Sequence, residues 1–203
     1  AVFGARPYDA GKIFLNGKEI EIKSVKDAMT NEIGYVPEDR LTQGLFMERS
    51  IQDNVIAASI RKYMKGGKLD EKEMEDTTNH WIKEIEIKAP SPKPAVRTLS
   101  GGNAQKVVIA KWLNTNPKLF ILDGPTVGVD IGAKAEIHEI LHGLAKKGVG
   151  IIIISDDLPE LVQNCNKIVV MRDGKLSGSM DNSIDERTLG NILVGATEGG
   201  AKE

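Results

Sequence analysis

A single cysteine, Cys165, stands in 203 residues, so no internal disulfide can brace the fold, which fits a reducing compartment. Aromatic residues make up only 4% of the chain, leaving few platforms on which nucleobases could stack. Neither sign of charge is in excess, with 27 basic residues against 29 acidic ones. Such a balance offers a polyanion no positive field, and nucleic-acid binding is disfavoured. Long apolar runs are missing too. The longest, Val149 to Ile154 with Gly150 inside it, falls far short of the ~20 residues that cross a bilayer, so any membrane role is expected to be peripheral. No signal peptide opens the chain. Also absent is any Gly-x-x-x-x-Gly-Lys-Ser/Thr loop, the pattern whose backbone cradles nucleotide phosphates.

What is present reads as an α/β fold, and 40% hydrophobic residues suffice for one sizeable core or a core with a subdomain. Residues 11–20 alternate apolar and polar around Asn16-Gly17, a strong hairpin signal and an expected antiparallel edge. Ile33-Gly34-Tyr35-Val36 reads as a buried strand stopped by Pro37, which delivers Glu38, Asp39 and Arg40 to a loop. From Ser50 to about Lys88 the periodicity is helical, with Ile51, Val55 and Ile56 on one face and Met74, Trp81, Ile82 and Ile85 beyond the breaker Gly66-Gly67. Pro90, Pro92 and Pro94 predict a stiff extended connector. Val107, Val108, Ala110, Lys111 and Leu113 predict one buried helical stripe. A strand at 119–123, a helix from about Ala133 to Lys147 and a strand at 150–154 form an expected βαβ unit with a parallel sheet. Asp173-Gly174 marks a second hairpin, and the small, charged tail 195–203 is expected to be disordered. The expected organisation is a partial core at 1–49, a helical subdomain and connector at 50–98, the rest of the core at 99–194, then the tail.

Two segments carry the chemistry. Ser100-Gly101-Gly102-Asn103, opening a helix, would gather a hydroxyl, open backbone N–H groups and a helix dipole at one point, which suits a phosphate. Two adjacent glycines are expected there for phosphate approach and not for packing. Leu119-Phe120-Ile121-Leu122-Asp123 reads as a buried parallel strand presenting one carboxylate at a sheet's carboxyl edge, where it could orient magnesium or cap a neighbouring loop. Asp130 suits the N-cap of the helix after it. His138 and His142 have i, i+4 spacing without a matching third ligand, so no metal site is expected of them.

In order and spacing these segments resemble the signature motif and Walker B strand of ATP-binding cassette (ABC) proteins. The resemblance implies a phosphate-loop NTPase-like sheet whose phosphate-loop strand is missing here, and a chain beginning one helix after that loop. With no such strand, the core is expected to be distorted or compensated by oligomerisation or strand exchange. It further implies ATP and Mg2+ as cofactors of an intact cassette pair, weakly held or absent in this piece. Ser100, Gly101, Gly102 and Asn103 would bind nucleotide held by the opposite cassette. Asp123 would hold magnesium through water, Glu38 would stand in the Q-loop, and Asp130 would belong to the D-loop at the cassette interface.

Three positions depart from that family's pattern. Gly124 stands where most members have the glutamate that polarises water, and glycine has no side chain to do so. Asp156 stands at the usual switch histidine and, as an acceptor-only group, would repel a phosphate. Glu38 replaces the usual glutamine. No catalytic set is therefore intact, and the piece is expected to be inactive alone.

Gly34 to Arg40 with Gly44-Leu45, Ile87 to Pro92, Leu99 to Lys106 and Asp130 to Lys134 carry a finer resemblance. They look like the second cassette of tandem ATP-binding subunits of bacterial monosaccharide importers. That resemblance implies a partner cassette, a membrane permease, an indirect periplasmic sugar-binding partner and a place on the cytoplasmic face of the inner membrane. The alternative is a non-hydrolysing docking module for the permease.

Overall fold

The computed structural model describes residues 1–181 and 185–193. The expected disordered tail lies outside the described residues. Two compact units divide the chain, one running from Ala1 to Ile152 and the other from Ile153 onward.

The first unit opens with the expected hairpin, β1 (Ile13–Leu15) and β2 (Lys18–Ile20), paired antiparallel. Asn16 and Gly17 both take positive φ, as a tight primed turn requires. A short helix α1 (Val25–Thr30), capped by Ser24, leads to β3 (Ile33–Val36). Arg40–Gly44 forms a single π-type turn, headed by Asp39, whose carboxylate accepts from the N–H groups of Leu41 and Thr42. Ser50 and Asp53 close a reciprocal capping box on α2 (Ile51–Ile56), which runs through a 3-10 turn at Ala57–Tyr63. The breaker Gly66-Gly67 then proves to be the turn of a miniature hairpin, β4 (Met64–Lys65) and β5 (Lys68–Leu69), ahead of α3 (Glu71–Glu84).

The proline connector does not stand free. The carbonyls of Pro92 and Pro94 accept from Gln52 and Ile51, each at 3.0 Å, and so cap the first turn of α2 from outside. Past a 3-10 turn at Val96–Thr98, α4 (Gly101–Leu113) corrects the expectation of one apolar stripe: from Ala104 to Leu113 it is buried on every side. Two lysines share that burial, each with an answer for its charge. Lys106 Nζ pairs with Glu136 at 2.8 Å and donates to the Glu86 carbonyl, while Lys111 Nζ donates to the Gly44 carbonyl.

β6 (Leu119–Asp123) lies at the centre of a three-stranded sheet ordered β3-β6-β7. It runs parallel to β3 in unbroken register from Ile33↔Leu119 to Val36↔Leu122. α5 (Ile131–Lys146) connects it to β7 (Gly150–Ile154). The sheet is thus small, and not distorted where β3 meets β6. Among the described residues no strand lies beyond β7, which alternates half-buried with exposed residues and leaves Ile152 43% exposed.

In the second unit, α6 (Leu158–Asn164), capped by Asp157, precedes an antiparallel pair, β8 (Lys167–Arg172) and β9 (Lys175–Asp181). Asp173-Gly174 makes the tight turn, both residues at positive φ. Ile168 and Val170 face inward against Leu189 of α7 (Glu186–Leu193), while Val169 and Met171 face out. Cys165 packs beside this small core, and burial pushes its thiol pKa up, the setting of an inert thiol.

Candidate functional site

Ser100 is the N-cap of α4, yet its side chain makes no capping bond. The caps of α1, α2, α3, α5 and α6 all do. Instead, Ser100 Oγ accepts a hydrogen bond from Asn103 Nδ2 at 2.8 Å. The exposed hydroxyl therefore keeps its proton for an outside acceptor, and among the described residues no side chain accepts from the first N–H groups of α4. Asn103 is oriented in turn by its Oδ1, which accepts from the Lys88 backbone N–H at 2.6 Å. Asn103 thus aims the serine with one of its two amide protons.

The two glycines have a reason the sequence reading missed. A Cβ at Gly102 would stand 2.4 Å from Ala133 Cβ, because the starts of α4 and α5 touch there. A Cβ at Gly101 would stand 3.0 Å from both Arg40 Nη2 and the Gly128 carbonyl oxygen. Packing, which the sequence reading discounted, requires glycine at 102 and crowds a side chain at 101.

Asp123 ends β6, and its Oδ2 accepts from Tyr35 Oη at 3.1 Å. Burial and the neighbouring carboxylate raise the Tyr35 pKa, so the phenol stays a donor. Phe3 stacks on Tyr35 at 5.1 Å between centroids and meets Trp112 edge-on at 5.3 Å. Among the described residues no three His, Cys, Asp or Glu side chains gather as a metal cage. Asp123 offers one carboxylate at the end of β6, the kind of donor that magnesium uses when it keeps its waters and leans on one or two carboxylates and on phosphate oxygens.

Gly124 has φ +54, where an L side chain is strained; a Cβ would lie 2.8 Å from Val127 Cγ2 and 3.1 Å from Glu38 Cγ. Glu38 thus stands beside the end of β6, and a glutamate at 124 would crowd it with a second carboxylate. Asp130 caps α5, accepting from Ala133 N at 2.9 Å. Asp156 is exposed in the loop of the second unit between β7 and α6. His138 and His142 both lie on α5.

Arg40 is the residue sequence reading passed over. Its Nη1 donates to the Val127 carbonyl at 2.6 Å and its Nη2 to that of Gly128 at 2.8 Å. Its place two residues after Glu38 in the loop was visible in the sequence; its reach across some 90 residues of chain to the turn before α5 was not.

The parallel strands bearing Asp123, the uncapped serine start of α4 and the capped Asp130 turn define a nucleotide-binding cassette core, and the chain belongs to the ABC transporter family, whose model matches residues 1–127. Among curated proteins it is 40% identical over 98% of its length to the ribose import ATP-binding protein RbsA of Bacillus licheniformis. It is 41% identical over 98% of its length to a putative ribose/galactose/methyl galactoside import ATP-binding protein of Rhizobium etli. The chain spans only 40% and 37% of the length of these relatives. Among solved structures, cbiO1 of Clostridium perfringens, part of the ABC transporter complex cbiONQ, matches with a TM-score of 0.71 at 27% identity. That match covers 95% of this chain and 73% of cbiO1. A nucleotide-free ATP-binding cassette from an ABC transporter matches in fold with a TM-score of 0.77 at 21% identity, over 95% of this chain and 77% of that one.

Proposed function

We propose that this chain is the second cassette of an ATP-binding subunit that drives import of a monosaccharide, and that it works chiefly on its partner cassette's nucleotide. The observation that carries the reading is Ser100. Its hydroxyl is exposed, its oxygen is satisfied by Asn103, and its proton is left to donate beside the open N–H groups of α4. Such a start recognises a phosphate presented from outside the chain. Asp123 would bind a magnesium-held water at the chain's own site, where the bound nucleotide and its metal supply the phosphoryl group and its charge neutralisation.

That own site lacks a group for turnover: Gly124 has no side chain to orient water. Asp156, in the second unit, offers only an acceptor where the resemblance implies a histidine. The strain at Gly124 weighs further against hydrolysis here, because the backbone there disfavours the missing glutamate. The sugar-import role follows the names of the relatives, and a place at the inner face of the membrane belongs to the same proposal. Among the described residues no helix is long and apolar enough to cross a membrane.

The rival reading, a docking module for the permease without hydrolysis, draws on Leu41 and Phe46, 53% and 61% exposed around the π-type turn. ATP turnover by the full-length protein separates the two, with Ser100→Arg and Gly124→Glu compared against wild type. The trans reading expects Ser100→Arg to abolish turnover and Gly124→Glu to lower the unfolding midpoint, with a strain cost of ~1–2 kcal/mol and no gain in rate. Unchanged turnover in Ser100→Arg would favour the docking module.

A further inference from the structure

Three loops meet on one guanidinium. Arg40 begins the π-type turn two residues after Glu38, forks onto the consecutive carbonyls of Val127 and Gly128, and lies against Gly101 at the start of α4. The fit is tightest at Gly101, where a Cβ would stand 3.0 Å from Nη2. Gly128, at φ +66, lies in ordinary contact with the guanidinium: a Cβ there would be 3.4 Å from Nη2 and 3.5 Å from Nη1. The guanidinium therefore rests on the Gly128 backbone with its Nη2 edge toward Gly101. Its Nε is buried with no hydrogen-bond partner. Carbonyl oxygens are its hydrogen-bond acceptors, and Asp39 beside it supports the charge.

We propose that Arg40 is a positioning residue that locks the Glu38 loop, the D-loop and the start of the signature helix into one body. Its consequence for turnover rests on the trans reading of Ser100; the lock itself does not. Two consecutive carbonyls at fixed spacing need a planar fork, and a lysine ammonium can satisfy only one of them at a time. Asp130 and Ser100 would then reach the partner cassette in a fixed relation, and movement at Glu38 would be passed to both. Ser100 is useful only where a phosphate arrives, and displacement by about 1 Å can cost a catalytic arrangement about a hundredfold in rate.

The test uses the full-length protein carrying Arg40→Gln, Arg40→Lys or Ser100→Arg, read by backbone hydrogen exchange and by the kcat and KM of ATP hydrolysis. Arg40→Gln is expected to raise exchange at 101–104 and at 127–133 together, roughly tenfold, with the remaining helices unchanged. It should lower kcat about a hundredfold while KM stays within about twofold. Arg40→Lys should rescue neither readout. Should Arg40→Gln fail to fold, Arg40→Lys, which keeps the stem and the charge, carries the same two measurements. Wild-type exchange at both segments overturns the proposal, and so does full rescue by lysine. If Ser100→Arg abolishes turnover while Arg40→Gln retains it, Arg40 is not the lock and the trans reading stands. If Ser100→Arg leaves turnover intact, the trans reading fails, and the paired rise in exchange alone decides for or against Arg40.

Discussion

Lys111 sits on the most buried helix of the chain with its ammonium on the Gly44 carbonyl and 5.6 Å from the centre of the Trp112 ring. Burial lowers its pKa to about 8. In the unfolded chain the group returns to its ordinary 10.5, so between these values the unfolded state binds the extra proton and stability rises with pH. Denaturant unfolding from pH 8 to 10.5 should show that rise, and Lys111→Met should remove this component of it. A slope identical in the two proteins would show that Lys111 is not its source. Gly101 and Gly102 teach a different lesson at the same scale. Adjacent glycines at a helix start are visible in any sequence, but the neighbour that requires them is not. Ala133 and Arg40 are some thirty and sixty residues away, and only the fold brings them to the glycines.

Short elements with strong local signals were legible in the sequence. Asn16-Gly17 and Asp173-Gly174 turn where left-handed backbone is needed, and Leu119–Asp123 is the strand its four apolar residues predict. Elements whose character depends on neighbours were less so. The helix α4 reads as a stripe through Lys111 that leaves the polar Gln105 and Lys106 outside it, yet tertiary partners bury those two as well. Tyr35 likewise reads as one more strand residue, and its bond to Asp123 spans 88 positions. Asn114, the C-cap of α4, shows how such partners join elements. Its Nδ2 donates to Ser59 Oγ at 2.7 Å and to Tyr63 Oη at 2.8 Å, and its carbonyl accepts from Lys62 at 2.7 Å. Asn114→Leu keeps the volume but removes the donor that both buried hydroxyls accept from, while Ser59 Oγ keeps its bond to the Ile56 carbonyl. It should cost ~1–3 kcal/mol in chemical denaturation, and Ser59→Ala in that background should recover part of the loss.

For the molecule as a whole, the consequential feature is the outer edge of β7. Among the described residues no strand pairs with that edge, and with Ile152 exposed beside it the edge is a template for another strand. The isolated chain is expected to show a concentration-dependent mass in sedimentation. Ile152→Lys, which puts a charge on that edge strand, should shift it toward the monomer; equal association of both proteins would place the contact elsewhere. The unit from Ile153 onward has its own small core around Ile168, Val170 and Leu189. The meeting of α4 and α5 sets a limit of another kind, on how the sequence can drift over generations. Where Gly102 faces Ala133 there is room for one methyl group. It can pass from one helix to the other by exchange of the two residues, but a lineage that acquires both must push apart the serine and the aspartate that stand at the two helix starts.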